Sequence, residues 1–213
     1  MLKINSSDNS GFKVWITSDT HYNHINICRG TTNWRLPNGE VPEKTTRAFE
    51  TLEDMNNAIV NNINNIVGED DILIHCGDFS FGGFDKIGEF RERIICKKLH
   101  LVLGNHDNHI ERNKNGIRSI FTSVQNYLAV DYNHQKLVLC HYPICSWDDM
   151  RKGSYHLFGH LHSSEQSKIM NGRSMDIGMD GNNLTPYEID YVIRKLSGRP
   201  VSFNTLNTDH HLL

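Results

Sequence analysis

Residues 71–82 read Asp-Ile-Leu-Ile-His-Cys-Gly-Asp-Phe-Ser-Phe-Gly. Large apolar residues run to Cys76 and stop at Gly77-Asp78. A short apolar run cut off by turn chemistry reads as a buried β-strand emptying into a loop. The same grammar recurs along the chain. Lys13–Thr17 runs into Ser18-Asp19-Thr20-His21, and Leu99–Leu103 into Gly104-Asn105-His106-Asp107. Leu137–Cys140 runs into His141-Tyr142-Pro143, and Tyr155–Phe158 into Gly159-His160-Leu161-His162. Between the first two strands, Phe49, Leu52, Met55, Ile59, Ile63 and Ile66 recur at helical spacing, which predicts a helix over 45–67 with Gly68 as its stop. A second helix is expected over 84–96, with Gly88 weakening it, and a hairpin from 127–130 to 136–140. A further strand is expected over 173–177. A last helix is expected over 185–196, with Thr185 as N-cap, Pro186 at its first position and Glu188 at its third. Strands alternating with helices and then pairing as a hairpin predict an α/β chain with a mixed sheet or two facing sheets. Ligands in such folds gather at the carboxyl ends of strands. Every polar cluster here falls at such an end.

Composition narrows the class of function. The chain has 213 residues, a net charge of −3 and 38% hydrophobic residues. This length suits a single domain spanning 1–213. The acidic balance gives no support to general binding of nucleic acid or of anionic membranes. No apolar stretch approaches the ~20 residues of a membrane span, and the start lacks a signal-peptide core. A cytoplasmic protein is expected. Five cysteines without a C-x-x-C pair speak against a disulfide framework, and Cys76 and Cys140 read as core fillers. The 13 histidines are the unusual number. His210 and His211, in the uninformative tail after residue 196, are expected to be exposed and inert.

The strand ends supply Asp19, His21, Asp78, Asn105, His141, His160 and His162. All offer oxygen or nitrogen donors, and no thiolate joins them, which argues against a structural zinc site. Asp19-x-His21 and His160-x-His162 share an i, i+2 spacing, so in extended backbone both side chains of each pair face one way. Carboxylates with imidazoles suit Mn²⁺, Fe, Zn²⁺ or Ni²⁺, and Mg²⁺ among hard ions. Seven donors are too many for one ion and suit two sharing a bridging carboxylate. Any one of these elements alone would be an ordinary turn.

Taken in order, Asp19-Thr-His21, Gly77-Asp78, Gly104-Asn105-His106-Asp107, His141 and Gly159-His160-Leu-His162 resemble the motifs of the calcineurin-like metallophosphoesterases. Stretches such as 19–28, 75–82 and 141–147 are similar to a small single-domain subgroup from bacteria and phages. The resemblance implies an α/β (α+β) four-layer fold, two facing mixed sheets flanked by helices. It implies two divalent ions, manganese foremost. Asp19, His21, Asp78 and His162 would hold the first ion, and Asp78, Asn105, His141 and His160 the second, with Asp78 bridging. A water made acidic between two such cations becomes hydroxide, the nucleophile expected to attack phosphorus. His106 would bind no metal and would protonate the leaving group as general acid. Asp107 reads as the end of a turn. Protein Ser/Thr phosphatases of this superfamily carry Gly-Asp-x-Val-Asp-Arg-Gly where this chain has Gly77-Asp78-Phe79-Ser80-Phe81-Gly82-Gly83. The Asp that pairs with the catalytic histidine and the Arg that grips phosphate are both missing.

Substrate selection is expected from His24 and from the polar loop 29–47, with Arg29, Trp34, Arg35 and Arg47 able to pair a phosphate or stack a base. Trp147 is a further candidate. His75, His100, His109, His134 and His156 read as structural or surface residues. The expected activity is a metal-dependent phosphodiesterase or phosphatase on a nucleotide or other small phosphoester. The competing enzyme reading is a nuclease or end-processing enzyme, and the remaining one a metal-binding module without catalysis. Oligomeric state leaves no mark in the sequence.

Overall fold

The computed structural model describes residues 1–6, 11–164 and 172–201. Ten strands follow in chain order: β1 (Leu2–Ile4), β2 (Val14–Thr17), β3 (Ile72–His75), β4 (Lys98–Val102), β5 (Ser123–Gln125), β6 (Leu128–Tyr132), β7 (Gln135–Leu139), β8 (Tyr155–Phe158), β9 (Ser174–Asp176) and β10 (Tyr187–Glu188). They form two five-stranded sheets, ordered β10-β2-β3-β4-β5 and β1-β6-β7-β8-β9. In the first, β2 to β5 are parallel and β10 lies antiparallel on β2. In the second, only the β6–β7 hairpin is antiparallel. The fold is thus mixed α/β with two mixed sheets flanked by helices.

The apolar runs are continuous because β2 to β4 are covered on both faces. Val14, Ile16, Ile72, Ile74 and Val102 join Val130, Leu137, Leu139, Tyr155 and Leu157 in the core between the sheets. On the opposite face, Leu73, Leu99 and Leu101 meet two helices, α1 (Leu52–Asn64) and α2 (Gly83–Arg93). Met55, Ile59, Val60 and Ile63 supply the buried stripe of α1, and Ile87 and Phe90 that of α2. A one-turn α3 (Asn108–Glu111) adds Ile110 to this core. The last helix, α4 (Ile189–Ser197), turns Ile189, Val192, Ile193 and Leu196 into the core between the sheets.

Several expected boundaries move, the second helix ending at Arg93 rather than 96, and three shifts have local reasons. The first helix begins at Leu52, where the Thr51 hydroxyl accepts the Asp54 N–H at 3.1 Å. Residues 46–50 stay out of the helix because their backbone is paired with the 27–30 loop. Arg47 N–H donates to Ile27 O, Arg29 N–H to Arg47 O, and Gly30 N–H to Phe49 O. The last helix begins at Ile189 rather than with a Thr185 cap. Tyr187 and Glu188 pair with Ile16 and Trp15 as β10, and the Thr185 hydroxyl donates to Asn183 O. The hairpin loop contracts to Asn133-His134, both at positive φ (48° and 65°), the backbone a tight two-residue turn requires. His210 and His211 lie outside the described residues.

The parallel strands deliver the polar loops to one edge. The ends of β2, β3, β4, β7, β8 and β9 lead to Asp19, Asp78, Asn105, His141, His160 and Asp180 respectively.

Candidate metal centre

The seven candidate ligands converge. The Asp78 carboxylate is central, with Oδ2 3.5 Å from both His21 Nε2 and His141 Nε2. Around Asp19 Oδ1 lie His162 Nε2 at 3.7 Å and His21 Nε2 at 3.8 Å. His21 Nε2 and His162 Nε2 are 3.1 Å apart. On the other side Asn105 Oδ1 is 3.0 Å from His141 Nε2 and 3.0 Å from His160 Nδ1. Asp19, His21 and His162 form one group able to hold a cation, and Asp19, Asp78 and His141 a second.

The proton positions favour a cation over a hydrogen-bonded cluster. His141 Nδ1 sits 2.8 Å from the Cys76 carbonyl, which only accepts, so that nitrogen carries the proton and Nε2 presents a lone pair. The Asp180 carboxylate does the same for His162, 2.8 Å from its Nδ1. Lone pairs and carboxylate oxygens thus crowd one point, and a cation is the partner that satisfies them together. Burial, above all, pushes the Asp19 carboxyl up to about 7 and His21 well below its usual range. A bare charge of either sign is costly here unless it is matched. Burial alone would also lower His162, but its hydrogen bond to Asp180 and the Asp19 charge carry the net direction upward.

The backbone of these loops is unusual. Asp19, His21, Asp78, His160 and His162 all sit at positive φ, between 47° and 70°. Such conformations are disfavoured for residues with a Cβ and persist where surroundings over-determine them. Here hydrogen bonds do so. Asp19 N–H donates to Gly77 O and His21 N–H to Asp78 O. His106 N–H donates to Asp78 Oδ1 at 2.9 Å, and His160 N–H to Asp19 Oδ2 at 3.0 Å.

Residues outside the seven candidate donors complete the frame. Asp107 does more than finish a turn. Its buried carboxylate accepts the backbone N–H groups of Asp78, Phe79 and Gly104 at 2.8–2.9 Å and ties two loops together. Arg47, buried in loop 29–47, grips Asp180 with Nε and Nη2. It also donates to the carbonyls of Asp19 and Thr20 at 2.7 Å. Burial alone would raise Asp180, but the Arg47 charge and the hydrogen bonds from His162 and Arg47 hold it below the usual carboxylate range. His75 is structural as read: its Nδ1 accepts the Gly77 N–H and its Nε2 meets the Thr20 hydroxyl at 2.9 Å. Burial lowers it to about 3, so it remains neutral.

Glycine 159 has a steric task in this frame. A Cβ built there would lie 2.0 Å from Ser18 Oγ and 2.4 Å from Asp19 Oδ2, closer than any real contact. Gly159→Ala should therefore displace Asp19. We expect at least about 10-fold weaker manganese binding, the lower range for disturbed ligand support, read by titration calorimetry.

His106 stands apart from the other histidines. Its side chain is 43% exposed, and its Nε2 is 4.0 Å from Asp78 Oδ2. It faces a cleft that His21, His24, Trp34 and His162 also line. The ring of His24 stacks on Phe81, 3.7 Å between centroids. The other proposed substrate contacts part company with this group. Arg29 is committed to the Glu43 carbonyl and to Thr46, and Arg35 to the carbonyls of Thr32 and Trp34. Trp147 is a correction: it is buried, its indole N–H donates to Ser154 O, and its ring packs on His156. It fills the interior rather than facing a ligand.

Known proteins bear on this arrangement. Residues 12–194 match the calcineurin-like phosphoesterase family. An uncharacterized protein of Methanocaldococcus jannaschii is 24% identical over 188 residues, covering 85% of this chain and 90% of the relative. A crystal structure of a protein of unknown function from Aquifex aeolicus superposes with a TM-score of 0.61 at 19% identity, over 87% of this chain and 100% of that one. A solved archaeal phosphodiesterase gives a TM-score of 0.40 at 20% identity, over 78% of this chain and 84% of that one. With 12–194 matched and the aspartate and histidine motifs gathered at one sheet edge, the chain belongs to the calcineurin-like phosphoesterase family, hydrolases of phosphoric esters.

Proposed function

We propose that the protein hydrolyses small phosphate esters, diesters or nucleotides foremost, with two divalent cations and with His106 as general acid. The observation that carries this reading is the position of Asp78, whose Oδ2 is equidistant, at 3.5 Å, from imidazoles of the two halves of the cluster. Asp19, His21, Asp78 and His162 would hold one ion, and Asp78, Asn105, His141 and His160 the other. Manganese suits this mixture of carboxylate, amide and imidazole donors, as do iron, zinc, nickel and magnesium. When bound, such ions polarise a phosphoryl oxygen and make a water nucleophilic at neutral pH.

The chain's own residues do the rest. Asp180 and the Cys76 carbonyl orient His162 and His141. Asp107 and Arg47 hold the loops in their strained conformations. His106, open to the cleft, is placed to give its proton to the departing oxygen, a role worth about 10²–10⁴ in rate. The test is turnover of bis(p-nitrophenyl) phosphate and p-nitrophenyl phosphate. Both should be hydrolysed by manganese-loaded protein and by neither the chelated protein nor the metal alone. Activity that survives complete removal of metal overturns the reading.

The second motif makes a separate expectation. The place of the Asp that pairs with histidine in protein phosphatases is taken by Phe81, whose ring lies 4.7 Å from His106. The place of the phosphate-gripping Arg is taken by Gly82. Bidentate Arg–phosphate contacts are not readily replaced. kcat/KM on phosphoserine peptides should therefore fall at least about 10-fold below that on small esters, the loss of one charge-assisted hydrogen bond. Equal values on both classes would show that another group supplies the grip.

A further inference from the structure

A cleft of about 630 Å³ opens from the candidate metal centre, a size that small organic ligands fill. Its lining joins His21, His162 and His106 of the candidate centre to Trp34, Ile27 and Lys44. Aromatic rings run from the first group to Trp34. His106 lies 4.7 Å from Phe81, Phe81 stacks on His24 at 3.7 Å, and His24 meets Trp34 edge-on at 6.0 Å.

Trp34 is 41% exposed, yet its loop is braced. The Trp34 backbone N–H donates to Thr32 Oγ1 at 3.1 Å, and Arg35 Nη1 donates to the carbonyls of Thr32 and Trp34. Asn33 N–H donates to Asn26 Oδ1 at 2.9 Å. A half-exposed indole on a braced loop, met edge-on by His24, offers a platform for a planar ring. The charge beside it is also unspent. Arg47 is neutralised by Asp180, whereas Arg29 and Arg35 are held in place by neutral hydroxyl and carbonyl groups and keep their charge. Lys44 is exposed on the cleft and makes no ion pair among the described residues. A half-exposed indole and a free ammonium, both adjoining a phosphoester site, match one chemistry: a heterocyclic base joined to phosphate.

We propose that this cleft binds a small nucleotide, its base laid on Trp34 and an outer phosphate met by Lys44. This rests on the phosphoesterase reading above and narrows its ester classes to nucleotides recognised through their base. Manganese-loaded protein is titrated calorimetrically with AMP, ADP, ribose 5-phosphate and a ten-nucleotide oligoadenylate. Hydrolysis of bis(p-nitrophenyl) phosphate is measured on the same samples. AMP should bind about 10- to 100-fold more tightly than ribose 5-phosphate, the range that base stacking on one aromatic side chain supplies. Trp34→Ala should remove that advantage without changing the affinity for ribose 5-phosphate, and Trp34→Phe should restore most of it. Lys44→Gln should weaken ADP several-fold more than AMP.

Equal affinities for AMP and ribose 5-phosphate, with hydrolysis intact, overturn the nucleotide assignment and leave the phosphoesterase reading standing. Equal weakening of both ligands by Trp34→Ala, with Trp34→Phe no better, assigns the indole a structural role and likewise overturns it. An oligoadenylate bound more than about 100-fold tighter than AMP moves the base and phosphate chemistry to a polynucleotide, against the small-molecule proposal. Absence of hydrolysis with every metal overturns both readings together.

Discussion

Asp78→Ala is expected to strip the protein of its ability to hold a pair of divalent cations and to abolish turnover on every phosphate ester. The side chain is buried, and its two oxygens have different duties. Oδ1 accepts the His106 N–H, while Oδ2 faces His21 and His141 at 3.5 Å. Without it, the described cluster keeps the imidazoles and Asn105 but one carboxylate fewer between its halves. Losing the shared carboxylate removes several kcal/mol of charge stabilisation, so the rate should fall by more than about 10³-fold. Asp78→Asn separates charge from folding. Asparagine tolerates the φ of 57° found here and can still accept the His106 N–H. It should fold and still lose metal. Elemental analysis and turnover on two esters read the outcome. A variant with full metal content and more than a tenth of the wild-type rate would remove Asp78 from the bridging position.

His106→Ala should do something different: keep the metal and lose the rate selectively. His106 lies between Asn105 and Asp107 in sequence, but the three side chains diverge. Asn105 faces His141 and His160, and Asp107 is buried beneath the Asp78 loop. His106 is the exposed member, beside the cleft. General acid catalysis is worth about 10²–10⁴. That loss should appear in kcat on alkyl esters, whose leaving oxygen needs a proton. It should shrink on p-nitrophenyl esters, whose leaving group departs with little help. Metal content, measured on the same variant, should not change. Loss of metal, or equal impairment on good and poor leaving groups, assigns His106 another role.

The gathering of the candidate donors at one sheet edge was legible because it depends on local chemistry. An apolar run such as Leu99–Leu103 has to be a strand, the Gly-Asn-His-Asp that follows has to turn, and parallel strands bring such turns together. Asp19, His21, Asp78, Asn105, His141, His160 and His162 could therefore be gathered before any coordinates. Element boundaries were less legible. Phe49 has helical spacing but sits in a loop because backbone pairing to residue 30 competes with the helix. Pro186 and Glu188 look like a helix start, but Tyr187 and Glu188 extend a sheet instead.

The sequence alone determined the strand–loop grammar, the donor set, the absence of a thiolate and the missing Asp-Arg pair of the protein phosphatases. Only the tertiary structure decided what supports those donors and what lines the cleft beside them. Arg47 and Asp180 are 133 positions apart, carry no periodic signature and share no motif, yet their ion pair joins the Asp19 loop to His162. Trp34 and Trp147 are the same residue type in similar polar loops. One is left open on a cleft, and the other is drawn into the core by Ser154 and His156. The physical reason is range. Strands and turns follow from neighbours in the chain, whereas the partner of a buried charge or an exposed ring is chosen by whichever distant segment the packed sheets bring against it.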